Sequence, residues 1–201
     1  MSAMIVAPLT LEGRQVRLEP LTLEHLSGLA KVGLDPELWR LSTIRVSGLA
    51  DLERYVADAL AEQRAGTSLP FATVWRRTGE IIGSTRFGNA VPSYRRVEIG
   101  WTWLGRQWQR TGANTEAKYL MLCHAFEVWE CRRVEFKTST LNQRSRTAIQ
   151  RLGAVEEGVL RCHMINHDGS RRDSVYYSII SDEWPDTKRH LERLLAAHQS
   201  R

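Results

Sequence analysis

The stretch Glu98-Ile-Gly-Trp-Thr-Trp-Leu-Gly-Arg-Gln-Trp-Gln-Arg-Thr-Gly-Ala-Asn-Thr-Glu-Ala-Lys118 passes from the two-residue period of a strand to the period of a helix across a glycine-containing turn. In its first half Val97, Ile99, Trp101 and Trp103 alternate with Glu98, Gly100, Thr102 and Leu104. That alternation predicts Glu98 and Thr102 on one face and Trp101 and Trp103 packed on the other. In its second half Gln109, Gly112 and Asn114 fall just before a helix. Unpaired backbone N–H groups and the positive end of the macrodipole meet there, a combination that favours phosphate. Gly112 is expected to let the main chain approach an anion closely, with positive φ open to it. Alone, a glycine before a helix is commonly only a turn, so the surrounding elements decide.

Upstream, Val16 and Leu18 alternate with Arg17 and Glu19 as a strand, and Thr22 is placed to cap a helix from about residue 23. After Gly48 the set Leu49, Leu52, Tyr55, Val56, Ala59, Leu60 and Gln63 marks one helical face, with Asp51 in the first turn and Gly66 ending the helix. Residues 71–75 and 81–88 read as a hairpin turning through Gly79. Downstream, residues 113–130 contain no Gly or Pro, and Ala113, Ala117, Leu120, Met121, His124 and Val128 make an apolar stripe with His124 as a core histidine. A strand at 134–138, a helix at 143–152 stopped by Gly153, a long hairpin over 155–180 and a final helix at about 182–197 complete the chain. The expected architecture is one α/β domain over residues 1–201, a mixed sheet with helices on both faces.

At 201 residues the chain can bury a sizeable core without metal or disulfide. Cys123, Cys131 and Cys162 form no CxxC pair and no zinc spacing, which predicts reduced thiols in a cytoplasmic protein and no metal site. The net charge of +5 is spread along the chain without a basic stripe, so direct nucleic-acid binding is not expected. No apolar run reaches the roughly 20 residues of a membrane span.

Gln109 and Gly112 sit at the strand-to-helix junction as Gln or Arg, two residues, then Gly. Asn142, Ser145 and Gly153 follow a later strand at spacings of three and eleven. In these motifs the chain resembles the GNAT superfamily of N-acetyltransferases. Gly13-Arg-Gln-Val-Arg17-Leu-Glu-Pro20 and Asp168-Gly169-Ser-Arg-Arg172-Asp173 look like its ribosomal-protein N-acetyltransferase branch. Asn114 departs from the Gly or Ala that ends the first motif, and residues 35–67, which match least, are together with the late hairpin where acceptor specificity is expected to lie. The resemblance implies a GNAT-type, mostly antiparallel sheet and acetyl-CoA as co-substrate. It also implies an amine acceptor, either a protein N-terminus or a small amine, and a homodimer.

By the same resemblance, the strand would bulge one step from Glu98 and splay at Thr102 to Leu104, offering backbone N–H groups to the oxyanion, and backbone at Trp103 and Leu104 would bond the pantetheine. Gln109, Arg110, Thr111, Gly112, Ala113, Asn114 and Thr115 would cradle the pyrophosphate, and Asn142 would border the arm. Lys118 either adds charge there or is a solvated lysine; Arg146 either reaches the adenosine end or is a surface arginine. Many family members carry a Tyr seven residues after the Asn as the acid for the departing thiolate, but Ile149 occupies that position. Ser145 is the substitute acid, its alternatives being a small helix residue without a role in the reaction or a helix-capping hydroxyl. Glu98, acting through a water, and His163 are the candidate bases. Neither Cys123 nor Cys131 is placed as a nucleophile, so direct attack by the amine is expected. A succinyl donor and an acyl-CoA sensor without turnover are the alternatives.

Overall fold

A computed structural model describes residues 4–199. Its strands are β1 (Leu11–Glu12), β2 (Val16–Pro20), β3 (Leu69–Trp75), β4 (Glu80–Val91), β5 (Arg96–Leu104), β6 (Arg133–Ser139), β7 (Val155–Ile165) and β8 (Arg171–Ile180). They form one eight-stranded sheet in the order β1-β2-β3-β4-β5-β6-β8-β7. Every neighbouring pair is antiparallel except β5–β6. The helices are α1 (Leu26–Gly33), α2 (Leu49–Arg64), α3 (Ala113–Cys123), α4 (Gln143–Arg151) and α5 (Trp184–Gln199).

Two apolar clusters show that both faces of the sheet are covered, as expected. On one, Ala117, Met121 and Leu122 of α3, Ile149 of α4 and Leu191 of α5 pack on Phe71, Phe87, Val97 and Ile99. On the other, Leu29 of α1 and Leu52, Tyr55, Val56 and Ala59 of α2 pack on Ala72 and Trp103. Gly79 and Gly169 turn the two predicted hairpins at φ of 73° and 82°, a region where a side chain is strained. Gly153 stops α4 at φ of 94°. The helix expected from residue 23 begins as a 3-10 turn, Leu23–His25, because the Thr22 amide donates to the His25 ring Nδ1 at 3.0 Å.

Two periodicities break where the sequence reads as regular. Pairing of β4 with β5 passes from Arg86↔Gly100 to Ser84↔Trp103, so Thr85 opposes both Trp101 and Thr102, and Trp101 adopts φ of 50°. This bulge inverts the alternation. Leu104 joins Val97 and Ile99 under α3, while Trp103 stands on the other face against Trp39 and Tyr55. The expected grouping is therefore corrected: Trp103 shares the face of Glu98, and Thr102 lies on the opposite face.

The helix expected over 113–130 likewise ends its regular turns at Cys123 and continues as a π turn, His124–Val128. The wider turn rotates the apolar face, so Ala125, Phe126 and Trp129 are buried while Val128 is 55% exposed. His124 stays among Phe87 and Trp129, with burial lowering its pKa.

Candidate functional site

The parallel pairing of β5 with β6 stops at Glu98↔Glu135, and both strands run on beyond it without each other. The bulge in β5 turns its end away, which opens a notch in the middle of the sheet. The chain enters α3 after β5 and α4 after β6, so two helix starts border the gap. A cavity of about 620 Å³ fills it. Arg110, Lys137, Arg144, Arg151 and Arg172 line this cavity beside the buried Lys118, and no Asp or Glu does. Such a field draws a polyanion. A second groove of about 840 Å³ lies along β7 and β8, where their pairing is interrupted between Leu160 and Met164; Asp173 lines it as well as Arg172, and no α-helix starts in its wall.

Most of the expected residues converge on the notch. Trp103 and Leu104 line it from β5, and Gln109, Arg110, Thr111, Asn114 and Thr115 from the turn into α3. Asn142 and Ser145 line it from the start of α4. The turn is built by its own polar groups. Gln109 donates from Nε2 to the Leu104 carbonyl at 2.9 Å and accepts from Arg144 at 2.9 Å, joining the end of β5 to α4. Thr111 donates to the Trp108 carbonyl and accepts from the Ala113 amide at 3.2 Å. The amides of Asn114 and Thr115, among the first in the helix, have no carbonyl one turn back to bond.

Gly112 is placed differently from expectation. Its φ is −69°, open to any residue, and an added Cβ would lie 2.9 Å from the Gln15 Oε1, so its close neighbour is a side chain of the β1–β2 turn. Positive φ falls instead on Arg110, at 62°. Nearby, the buried Glu116 carboxylate accepts from the amides of Arg14, Gln15 and Val16 at 2.9, 2.7 and 2.7 Å, which fastens α3 to that same turn. No sequence pattern marks this contact.

Lys118 lines the cavity but is not the solvated lysine of one sequence reading. It is 4% exposed, and Nζ donates to Thr85 Oγ1 at 2.7 Å and Thr102 Oγ1 at 2.6 Å, tying α3 to the bulge from both strands. Desolvation pulls its pKa down to about 7, since burial disfavours the charged amine.

Asn142 caps α4: its side chain accepts from the Ser145 amide at 3.0 Å. Ser145 contributes only that amide to the cap, and its hydroxyl makes no hydrogen bond among the described residues. The capping alternative for the Ser145 hydroxyl is thereby removed. Ile149 lines the same wall without a proton to give. Arg146 is not brought to the cavity; its guanidinium donates to Tyr177 Oη at 3.1 Å and Glu156 at 3.2 Å.

Glu98, 3% exposed, accepts from Asn89 Nδ2 at 2.8 Å and lies 3.5 Å from Lys137 Nζ. Its carboxylate rests over Gly100, a cavity residue where a Cβ would stand 3.2 Å from Oε1. His163 is further off, edge-on to Tyr176, whose ring sits under Lys137. Burial pushes the thiols of Cys123 and Cys131 up to about 11 and about 12, so neither is a ready nucleophile. No group of three or more His, Cys, Asp or Glu among the described residues is arranged to hold a metal. No helix among them is long and apolar enough to cross a membrane.

The segment between α1 and α2, the least matched in sequence, closes one side of the cavity. Asp35 pairs with Arg106 at 2.7 Å and Trp39 Nε1 donates to the Gly33 carbonyl at 2.7 Å, which pins it beside the notch. The sequence pointed to this segment and the late hairpin as the regions of acceptor specificity, but singled out neither the wall residues Leu38, Leu41 and Ile44 nor Arg172 opposite them.

Comparison with known proteins agrees with this geometry. The Acetyltransferase (GNAT) domain profile matches residues 15–155. YdaF of Bacillus subtilis (strain 168), which carries the name of a ribosomal N-acetyltransferase, is 32% identical over 110 residues. That alignment takes in 55% of this chain and 59% of YdaF, so the chain spans about three-fifths of that relative's length. The crystal structure of a T. thermophilus protein named as an acetyltransferase superposes with a TM-score of 0.86 at 38% identity, over 94% of this chain and 98% of the other. Mycobacterium smegmatis RimJ, solved in complex with CoA-disulfide, superposes with a TM-score of 0.79 at 25% identity, over 96% of each chain. With the divided sheet, the polar turn into α3 and the domain match all in agreement, the chain belongs to the GNAT acetyltransferase family.

Proposed function

We propose that the protein transfers an acetyl group from acetyl-CoA to a primary amine by direct attack on the thioester. The observation that carries this reading is the notch between β5 and β6: a cavity lined by cations and no carboxylates, at the starts of two helices. The pyrophosphate would lie against the unpaired amides at the start of α3. The pantetheine would run between the diverging strands, beside Trp103 and Leu104.

Three requirements of the reaction have candidates here. The backbone at the β5 bulge would polarise the thioester carbonyl, and one well-placed donor is typically worth about 10²–10³ in rate. Glu98 would take the amine proton through a water reaching over Gly100. Ser145, with its hydroxyl unengaged, would protonate the departing sulfur. The high thiol pKa values of Cys123 and Cys131 support the route without an acyl-enzyme. The reading extends to a single-domain homodimer in the cytoplasm, the dimer resting on the family resemblance, the single domain on chain length and the compartment on the unpaired cysteines of the sequence; a monomeric mass at micromolar concentration would count against the dimer.

The test is thiol release from acetyl-CoA on adding pools of primary amines, with succinyl-CoA in parallel. Amine-dependent release from acetyl-CoA is expected. Binding of acetyl-CoA without release from any pool would leave the protein a sensor.

A further inference from the structure

The cavity has two ends of different chemistry. Arg110, Arg144 and Arg151 line the end beside α3 and α4, whereas Leu38, Leu41, Ile44, Tyr55 and Trp101 line the other. With the cofactor at the cationic end, as proposed above, the acceptor enters by the apolar end, and the inference rests on that reading. Two further cations line the cavity, Lys137 from β6 and Arg172 from β8, and Arg172 reaches the Leu41 carbonyl at the acceptor end.

Their states differ. Lys137 has a counter-charge in Glu98 at 3.5 Å. Arg172 has none in contact. Its one hydrogen bond among the described residues is long, from Nη1 to the Leu41 carbonyl at 3.4 Å, and its Nε is buried without a partner. Glu98 acts on Arg172 only through space, since its carboxylate is engaged by Asn89 and Lys137. The adjacent Asp173 is turned to the Cys162 amide at 2.6 Å. A guanidinium remains charged at neutral pH and presents a planar fork that matches a carboxylate. Left half-buried with donors unfilled, it is costly until something supplies acceptor oxygens.

The same surroundings disfavour other acceptors. A polyamine or other multiply cationic amine would meet the lysine and arginine charges and no lining carboxylate. A peptide N-terminus offers a neutral amide beside its amine, with one carbonyl oxygen for the fork. We propose that the acceptor is a small amino-acid-like amine, whose carboxylate pairs with Arg172 while its apolar side chain packs against Leu38, Leu41 and Ile44. In the transfer the amine nitrogen bonds the acetyl carbon, the C–S bond breaks, one amine proton leaves and the thiolate is protonated. The products are an N-acetylated amino acid and free CoA.

The test compares L-leucine, L-methionine and L-phenylalanine, each against its amide and its decarboxylated amine, in thiol release from acetyl-CoA. In the wild type each amino acid is expected to exceed both analogues in kcat/KM by about ten- to a hundredfold, the range of a charge-assisted hydrogen bond. In Arg172→Ala that ratio should fall to within about threefold, with Arg172→Lys between. Analogues as good as the amino acids in the wild type, or a ratio that survives in Arg172→Ala, would overturn the proposal. Quenching of the cavity tryptophans by L-leucine and by its decarboxylated amine reports binding without turnover. Preferential L-leucine binding without thiol release would bear out the Arg172 subsite while defeating the transferase reading. Release with amides or peptides alone would do the reverse.

Discussion

Replacing Lys118 by Met removes a buried amine while keeping its length and apolar stem. In the wild type the folded state holds this amine neutral above pH about 7, whereas the unfolded chain keeps its proton up to the ordinary 10.5. Between those values unfolding takes up a proton, so stability rises with pH; below about 7 both states are protonated and the cost of the buried charge is constant. At about 1.4 kcal/mol per pH unit, the full window is worth at most about 5 kcal/mol. The accessible span from pH 7 to 9 is worth about 2–3 kcal/mol. The two threonine hydroxyls that accept from Nζ reduce this. Urea denaturation of both proteins across pH 6–9.5 isolates the contribution, because every other titrating group is shared. The stability of wild type minus Lys118→Met is expected to climb with pH above 7 and to be flat below it. A difference constant to within about 0.5 kcal/mol from pH 7 to 9 would refute a desolvated Lys118.

Other outcomes follow from the same geometry. Ser145→Ala should lower kcat by about tenfold to a thousandfold with acetyl-CoA affinity held within a few fold; its melting temperature should stay near wild type because Asn142 supplies the cap, and full activity would defeat the role in protonating sulfur. Glu98→Gln should depress turnover most strongly at low pH, where few amines are neutral, so a wild-type pH–rate profile would remove Glu98 from the reaction. Glu116→Gln should cost about 3 kcal/mol in urea denaturation, since three amides then share one acceptor oxygen, and a loss under about 1 kcal/mol would contradict the anchoring of the β1–β2 turn.

The periodic parts of the fold were legible in the sequence because their cause is local. Leu52, Tyr55, Val56 and Ala59 bury the predicted face of α2, although Leu49 in its first turn is 48% exposed, and the hairpin turns fall at glycines that need positive φ. The bulge at Trp101 was expected from the family resemblance alone, and no pattern in the residues themselves places it. A non-glycine residue at φ of 50° carries no local signal, and the contacts that accompany it come from Lys118, 16 residues on from Thr102 and 33 from Thr85. Lysine reads as solvent-exposed by default. Its position did hold a clue, because Lys118, Met121, Leu122 and Ala125 fall at the three, four and seven spacing of a buried face and all are buried. The π turn erased the stripe running to Val128 for a similar reason, since one widened turn shifts every later residue.

At the site, the motif residues around Gln109 and Asn142 were found by spacing, but their partners were not. Gln109 reaches Arg144 across a gap that exists only because two strands separate. Arg172 lies in a hairpin where a basic residue is ordinary, and only the folded chain brings it against the Leu41 carbonyl and into the cavity.

The central claim is that the notch between β5 and β6 holds acetyl-CoA. Amide hydrogen exchange with and without acetyl-CoA tests it residue by residue. Slowed exchange is predicted at Trp103 and Leu104, at Asn114 and Thr115, and around Ser145, with the β7–β8 turn at residues 166–169 unchanged. Binding that leaves those amides unaltered, or protects the hairpin instead, would contradict the account.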